Sequence, residues 1–208
     1  GLAEGKGPFN IEISTGPMDD NNVNFFFGGA MDVLQPYIDK GQIVVPSGQM
    51  DFDKICTLRW SKETAQKRME NIISGYYTDG KKLDAVISPF DGMSYGIAAA
   101  LEGAGYKVGS NWPLITGQDA ELMATKNILS GKQTMTVFKD TRVLADKCVT
   151  MVQAVLEGKT PEINDTESYD NRKQVVPSFL CTPTLVDKGN VKSALIDSNY
   201  YKASDIGL

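Results

Sequence analysis

Residues 83–121 read LDAVISPFDGMSYGIAAALEGAGYKVGSNWPLITGQDAE, a succession of strand, turn, helix, turn, strand and turn with an aspartate after each strand. Asp84–Ser88 is a short β-branched run, and Pro89 and Gly92 bracket the turn that follows it. Asp91 stands where a helix N-cap belongs, ahead of Met93–Leu101, and Gly105 stands where a helix closes. Leu114–Thr116 is a second strand that ends in Gly117-Gln118-Asp119. A strand–helix–strand unit of this length implies a parallel pair with a right-handed crossover. Ligands of such sheets sit beyond the carboxyl ends of the strands, so Asp91 and Asp119 are expected on one rim.

The same alternation extends to both sides. FNIEIS at 9–14 predicts a strand, and a polar turn at 15–22 leads into a helix from about Val23 to Asp39, with Pro36 bending it or marking its last turns. Gln42–Val45 is the next strand, followed by a polar connection over 46–60. Ser61 then caps a helix whose Ala65, Met69, Ile72, Ile73 and Tyr76 form one apolar stripe. Beyond residue 119 the pattern gives a helix over Ala120–Ser130, a strand over Gln133–Phe138 and a helix over Thr141–Glu157. A polar loop at 159–173, an extended run Val175–Val186 interrupted by Pro177 and Pro183, and a short helix near Lys188–Asp197 complete it. The sum is an α/β fold, an open parallel sheet with helices on both faces. One helix does not fit. Val143, Leu144, Cys148, Val149, Met151, Val152, Val155 and Leu156 give Thr141–Glu157 an apolar face wider than one stripe, and no strand is left to cover it.

With 208 residues, 41% hydrophobic and 23% charged, the chain can bury a sizeable core as one or two domains. A net charge of −5 supplies no basic stripe for a phosphate backbone, so no nucleic-acid partner is expected. No apolar run approaches the ~20 residues of a membrane span, so no membrane insertion is expected either. Cys56, Cys148 and Cys181 are far apart with no CxxC, and read as three packed thiols. Histidine is absent, which removes the usual general base and the commonest metal ligand. Neither GxGxxG nor GxxxxGK[ST] occurs, and no metal or cofactor is expected.

Five strand ends deliver Asn22, the Arg59–Trp60 pair, Asp91, Asp119 and Lys139. Singly each has a plain explanation: Asn22, Asp91 and Asp119 as helix-opening residues, Trp60 as a staple before the Ser61 cap, Arg59 and Lys139 as solvated charges. Together they hold acceptors, donors, an amide that does both, and an indole face. A neutral polyhydroxylated ring matches that set, its C–H surface on the indole and its hydroxyls on the charged groups. The enzymatic alternative pairs Asp91 with Asp119 as glycosidase carboxyls. No Ser or Cys lies beside a base and there is no GxSxG elbow, so acyl transfer is not supported.

DDNN at 19–22, AMDVLQPYID at 30–39, TLRW at 57–60, LDAVISPFDG at 83–92, ITGQDAE at 115–121 and FKDTR at 138–142 resemble the periplasmic monosaccharide-binding proteins of ABC importers, in their xylose-binding and multiple-sugar branch. The resemblance runs from about Phe9 to Tyr201. It implies a two-lobed, non-catalytic extracytoplasmic receptor that closes on one sugar of the xylose, glucose or galactose class and delivers it to a permease. By position it makes Asn22, Trp60, Asp119 and Lys139 ligand contacts, with Arg59 and Asp91 beside them; the xylose-type pattern has an Asn where this chain has Phe90. It also implies that residues 1–135 with 175–208 are the second lobe, the first being missing. Residues 136–174 would then be a hinge crossing and a helix that packs on that first lobe. Alone, Thr141–Glu157 is expected to pair with another copy, swap or misdock, and half a cleft is expected to bind sugar weakly or undetectably. The same two-lobed fold also serves as the effector domain of sugar-responsive repressors, a second alternative.

Overall fold

The computed structural model describes residues 1–208. β1 (Phe9–Ile13), β2 (Ile43–Val44), β3 (Ala85–Ile87) and β4 (Leu114–Ile115) form one sheet in the order β2-β1-β3-β4, and every neighbouring pair is parallel. Ile11 lies opposite Ala85, and Ala85 opposite Leu114. β5 (Met135–Phe138) pairs with β6 (Thr184–Asp187), and a parallel bridge from Gln118 to Val137 ties the end of the β4 strand to β5. The helices are α1 (Asn21–Asp39), α2 (Phe52–Ile55), α3 (Lys62–Tyr76), α4 (Asp91–Gly103), α5 (Leu122–Ser130), α6 (Thr141–Leu156) and α7 (Ala203–Ile206). None is long and apolar enough to cross a membrane.

The period of two along the strands sorts side chains between two faces. Ile11, Ile13 and Ile43, with Ala85 and Ile87, pack with Phe27, Met31 and Leu34 of α1. Val86 and Ile115 turn the other way and join Met69 and Ile72 of α3 and Met93, Ile97 and Leu101 of α4. Each fully buried Ile or Leu contributes about 1.5–3 kcal/mol. Glu12, between Ile11 and Ile13, faces the second side and is fully buried, its carboxylate accepting from the Tyr77 hydroxyl (2.9 Å) and the Ser47 hydroxyl (2.6 Å).

Several expectations are corrected. α3 buries Tyr77, just past its end, in place of Tyr76, because the chain leaves helical geometry there. The short helix expected near Lys188–Asp197 is present, as a π-helix over Lys192–Ile196. The extended run from Val175 narrows to β6, which starts after Pro183; a proline has no N–H to give a ladder. Cys148 is exposed, since it lies on α6, which has no buried residue, so the three cysteines are not all packed.

Residues 1–137 with 185–208 form one compact unit, and residues 138–184 another. Within the second unit Asp140 caps α6 by accepting from the Arg142 N–H (3.0 Å). Lys147 pairs with Glu162 at 2.8 Å and lies 4.0 Å above the Phe179 ring. Antiparallel bridges Asp165–Ser178 and Asp170–Val175 fold the polar loop back on itself.

Candidate functional site

Because β1 to β4 are parallel, their carboxyl ends share one edge, and four successive loops arrive there. After β1, α1 is capped by Asp20, whose carboxylate accepts from the Asn22 N–H at 2.9 Å. Asn22 is therefore not the cap. It stands in the first turn, and its side chain is exposed.

After β2, the turn Leu58–Trp60 places Arg59 and Trp60 in the left-handed region, with φ of 56° and 55°. A strained pair of non-glycine residues persists where its surroundings hold it. Here the Trp60 indole lies flat against Gly16, just past β1, where an added Cβ would overlap the six-membered ring. The Trp60 and Phe90 rings meet in a T-shaped arrangement, 5.9 Å between centroids and 79° between planes. Trp60 is half-buried and Arg59 exposed. The contacts of Gly16 and Phe90 with Trp60 were not foreseen from the sequence; a glycine closing a strand ahead of a ligand loop was the available signal.

After β3, Phe90 and not Asp91 occupies the N-cap position of α4. Asp91 is fully buried, and its oxygens accept from the Glu121 N–H (2.9 Å), Gln133 Nε2 (2.8 Å) and the Thr136 hydroxyl (3.0 Å). Burial pushes its carboxyl up to about 6, against the pull of those donors. A glycosidase pair of Asp91 with Asp119 would need both carboxyls to reach a substrate, and Asp91 has no exposed surface.

After β4, Asp119 and Ala120 take φ of 96° and 51°, so the expected helix from Ala120 begins only at Leu122, with Glu121 as its cap residue. The Asp119 N–H donates to the Val137 carbonyl at 2.9 Å, and the Asp119 side chain is exposed. Lys139 follows β5, lies in the second unit and is exposed. Five of the six expected groups thus sit on loops or first helical turns at one sheet edge, four of them open to solvent at least in part. A hollow of about 460 Å³ lined by Gln49, Lys67 and Arg68 includes none of them.

A family model for a periplasmic binding protein domain matches residues 2–160. The multiple sugar-binding periplasmic receptor ChvE of Rhizobium radiobacter is 55% identical over 207 residues, 99% of this chain and 58% of its own length. The D-xylose-binding periplasmic protein of Escherichia coli is 34% identical over 197 residues, 95% of this chain and 56% of its own. An ABC transporter solute-binding protein of Clostridium phytofermentans, solved with bound β-D-glucose, superposes with a TM-score of 0.92 at 52% identity, over 99% of this chain and 62% of that one. The chain spans a little under three fifths of the length of these curated relatives.

Proposed function

The chain belongs to the periplasmic binding protein domain family, and from that premise we propose that it supplies one wall of a monosaccharide cleft in an extracytoplasmic, non-catalytic receptor serving an ABC permease. Asn22, Arg59, Trp60 and Asp119 contact the sugar. Residues 1–135 with 175–208 act as one lobe, and 136–174 as the hinge crossing and a helix that packs on the other lobe. Where that lobe is absent, α6 pairs with a second copy. Xylose, glucose and galactose are the ligands in view, because relatives carry D-xylose and multiple-sugar names and one is solved with β-D-glucose.

The observation that carries this reading is the arrival of an amide, a guanidinium, an indole and a carboxylate on one edge of a parallel sheet. The indole offers a flat apolar face to sugar C–H groups, and the others exchange hydrogen bonds with hydroxyls. A carrier needs ground-state affinity and no transition-state stabilisation, and the edge holds no nucleophile–base pair.

Calorimetry on the complete receptor with D-xylose, D-glucose and D-galactose tests it. Saturable binding is expected, weakened at least about tenfold by Trp60→Ala or Asp119→Ala. No binding of any of these sugars, or binding indifferent to both substitutions, overturns it. Residues 1–208 alone should bind weakly, because half a cleft leaves much of the sugar in water.

A further inference from the structure

We propose that Asp91 is a positioning residue that holds the left-handed Asp119–Ala120 turn at the sheet edge, with the Thr136 hydroxyl as its relay. Two consecutive backbone N–H groups leave that turn, and both end on Asp91. The Glu121 N–H donates to it directly at 2.9 Å. The Ala120 N–H donates to the Thr136 hydroxyl at 3.1 Å, and that hydroxyl in turn donates to Asp91 at 3.0 Å. Gln133 Nε2 supplies a third donor at 2.8 Å.

The surroundings pack closely around this arrangement. Gly117 sits where a Cβ would overlap Asp91 Oδ1 and Gln133 Nε2, so the strand before the turn passes directly over the carboxylate. Asp91, Gln133 and Thr136 are all buried. The Tyr201 hydroxyl donates to the Ala120 carbonyl at 2.9 Å and closes the turn from outside. Non-glycine residues at positive φ are strained and persist only where neighbouring groups over-determine them. Asp91 is the acceptor that does so here. An ionised carboxylate takes several N–H and O–H donors at once, whereas a neutral carboxyl gives up part of that capacity.

The titratable groups facing Asp91 are Glu121 on the turn, Tyr95 on α4, whose hydroxyl donates to Glu121 at 2.7 Å, and Tyr201 near the chain end. Burial raises both tyrosines, so neither ionises in mild acid. Protonation of Asp91 near pH 6 should therefore loosen the turn and weaken whatever Asp119 holds.

The inference rests on the sugar reading for its effect on affinity, and its test separates the two. In the complete receptor, Asp91→Asn should weaken sugar binding about tenfold or more at pH 7.5. It should also abolish the loss of affinity that the unsubstituted protein shows below about pH 6, while Glu121→Gln keeps that loss. Thr136→Ser should retain affinity and Thr136→Val should lose it; a packing role would give the reverse order. Hydrogen exchange of the Ala120 and Glu121 amides, read without ligand, should speed up in Asp91→Asn and Thr136→Val. Unchanged exchange in both variants overturns the positioning role whatever the sugar result. Absence of sugar binding by the unsubstituted receptor overturns only the reading in the preceding subsection.

Discussion

α4 and α6 are helices of similar apolar content with opposite fates. α4 buries eight of its residues, among them Met93, Ile97 and Leu101, between α3 and the sheet. α6 buries none: Leu144 is 56% exposed and Leu156 82%. The difference lies in the partner surface and not in the helix. α4 belongs to a strand–helix–strand crossover, whose geometry lays the helix on the sheet it connects. α6 lies in the long connection from β5 to β6, where the second unit supplies it with a polar loop and two short bridges. Apolar pattern marks a face that wants cover; connectivity determines whether the same chain provides it.

The most damaging test of this contrast is one substitution made on each helix. Leu101→Ala should cost about 2–5 kcal/mol in chemical denaturation, because it empties a site closed on all sides. A loss below 1 kcal/mol would mean the α4 face is not the core it resembles.

Asp91, the first residue of α4, gives a second effect of roughly 3 kcal/mol, visible only against pH. Its carboxyl lies at about 6 in the fold against an ordinary 3.8. Between those values the folded chain holds a proton that the unfolded chain has released, so this contribution is fully present below about pH 4. It is lost as pH rises through 6. Stability measured for the unsubstituted chain minus that of Asp91→Asn should therefore grow on acidification from pH 7 to pH 4. A flat difference would show that burial does not penalise the charge.

Gly16→Ala extends the comparison to the sheet edge, where packing also depends on a partner surface. The new methyl group would displace the Trp60 indole, at about 1–3 kcal/mol. The emission of Trp60 should shift, while Trp112, held by its Nε1–H on the Lys132 carbonyl, serves as the internal reference. Unaltered emission would refute the contact. The smallest effect should come from Leu144→Ala on α6, within about 0.5 kcal/mol apart from helix propensity. A cost comparable to that of Leu101→Ala, coupled to dilution-dependent stability, would reveal a second copy seated on that face.

Much of the fold was legible because hydrophobic period and turn residues act locally. The run DAVIS, the stripe Ala65, Met69 and Ile72, the Ser61 cap and the glycine after α5 all act within a few residues of themselves. The candidate edge was legible for the same reason, since parallel crossovers oblige every strand to deliver its following loop to one side. Asp91 was legible as a residue of that edge but not as a buried one. Its three donors come from residues 121, 133 and 136, which no local pattern connects to it.

What the sequence alone determined is the order of strands and helices, the parallel sheet and the set of loops above its carboxyl ends, since these follow from short-range periodicity and the handedness of crossovers. Only the tertiary structure decided that Asp20 caps α1, that Trp60 leans on Gly16, that Asp119 sits in a left-handed turn, and that Asp91 faces inward beneath it. Those outcomes depend on which distant groups the sheet brings within hydrogen-bonding or van der Waals distance, and that is a property of the packed chain.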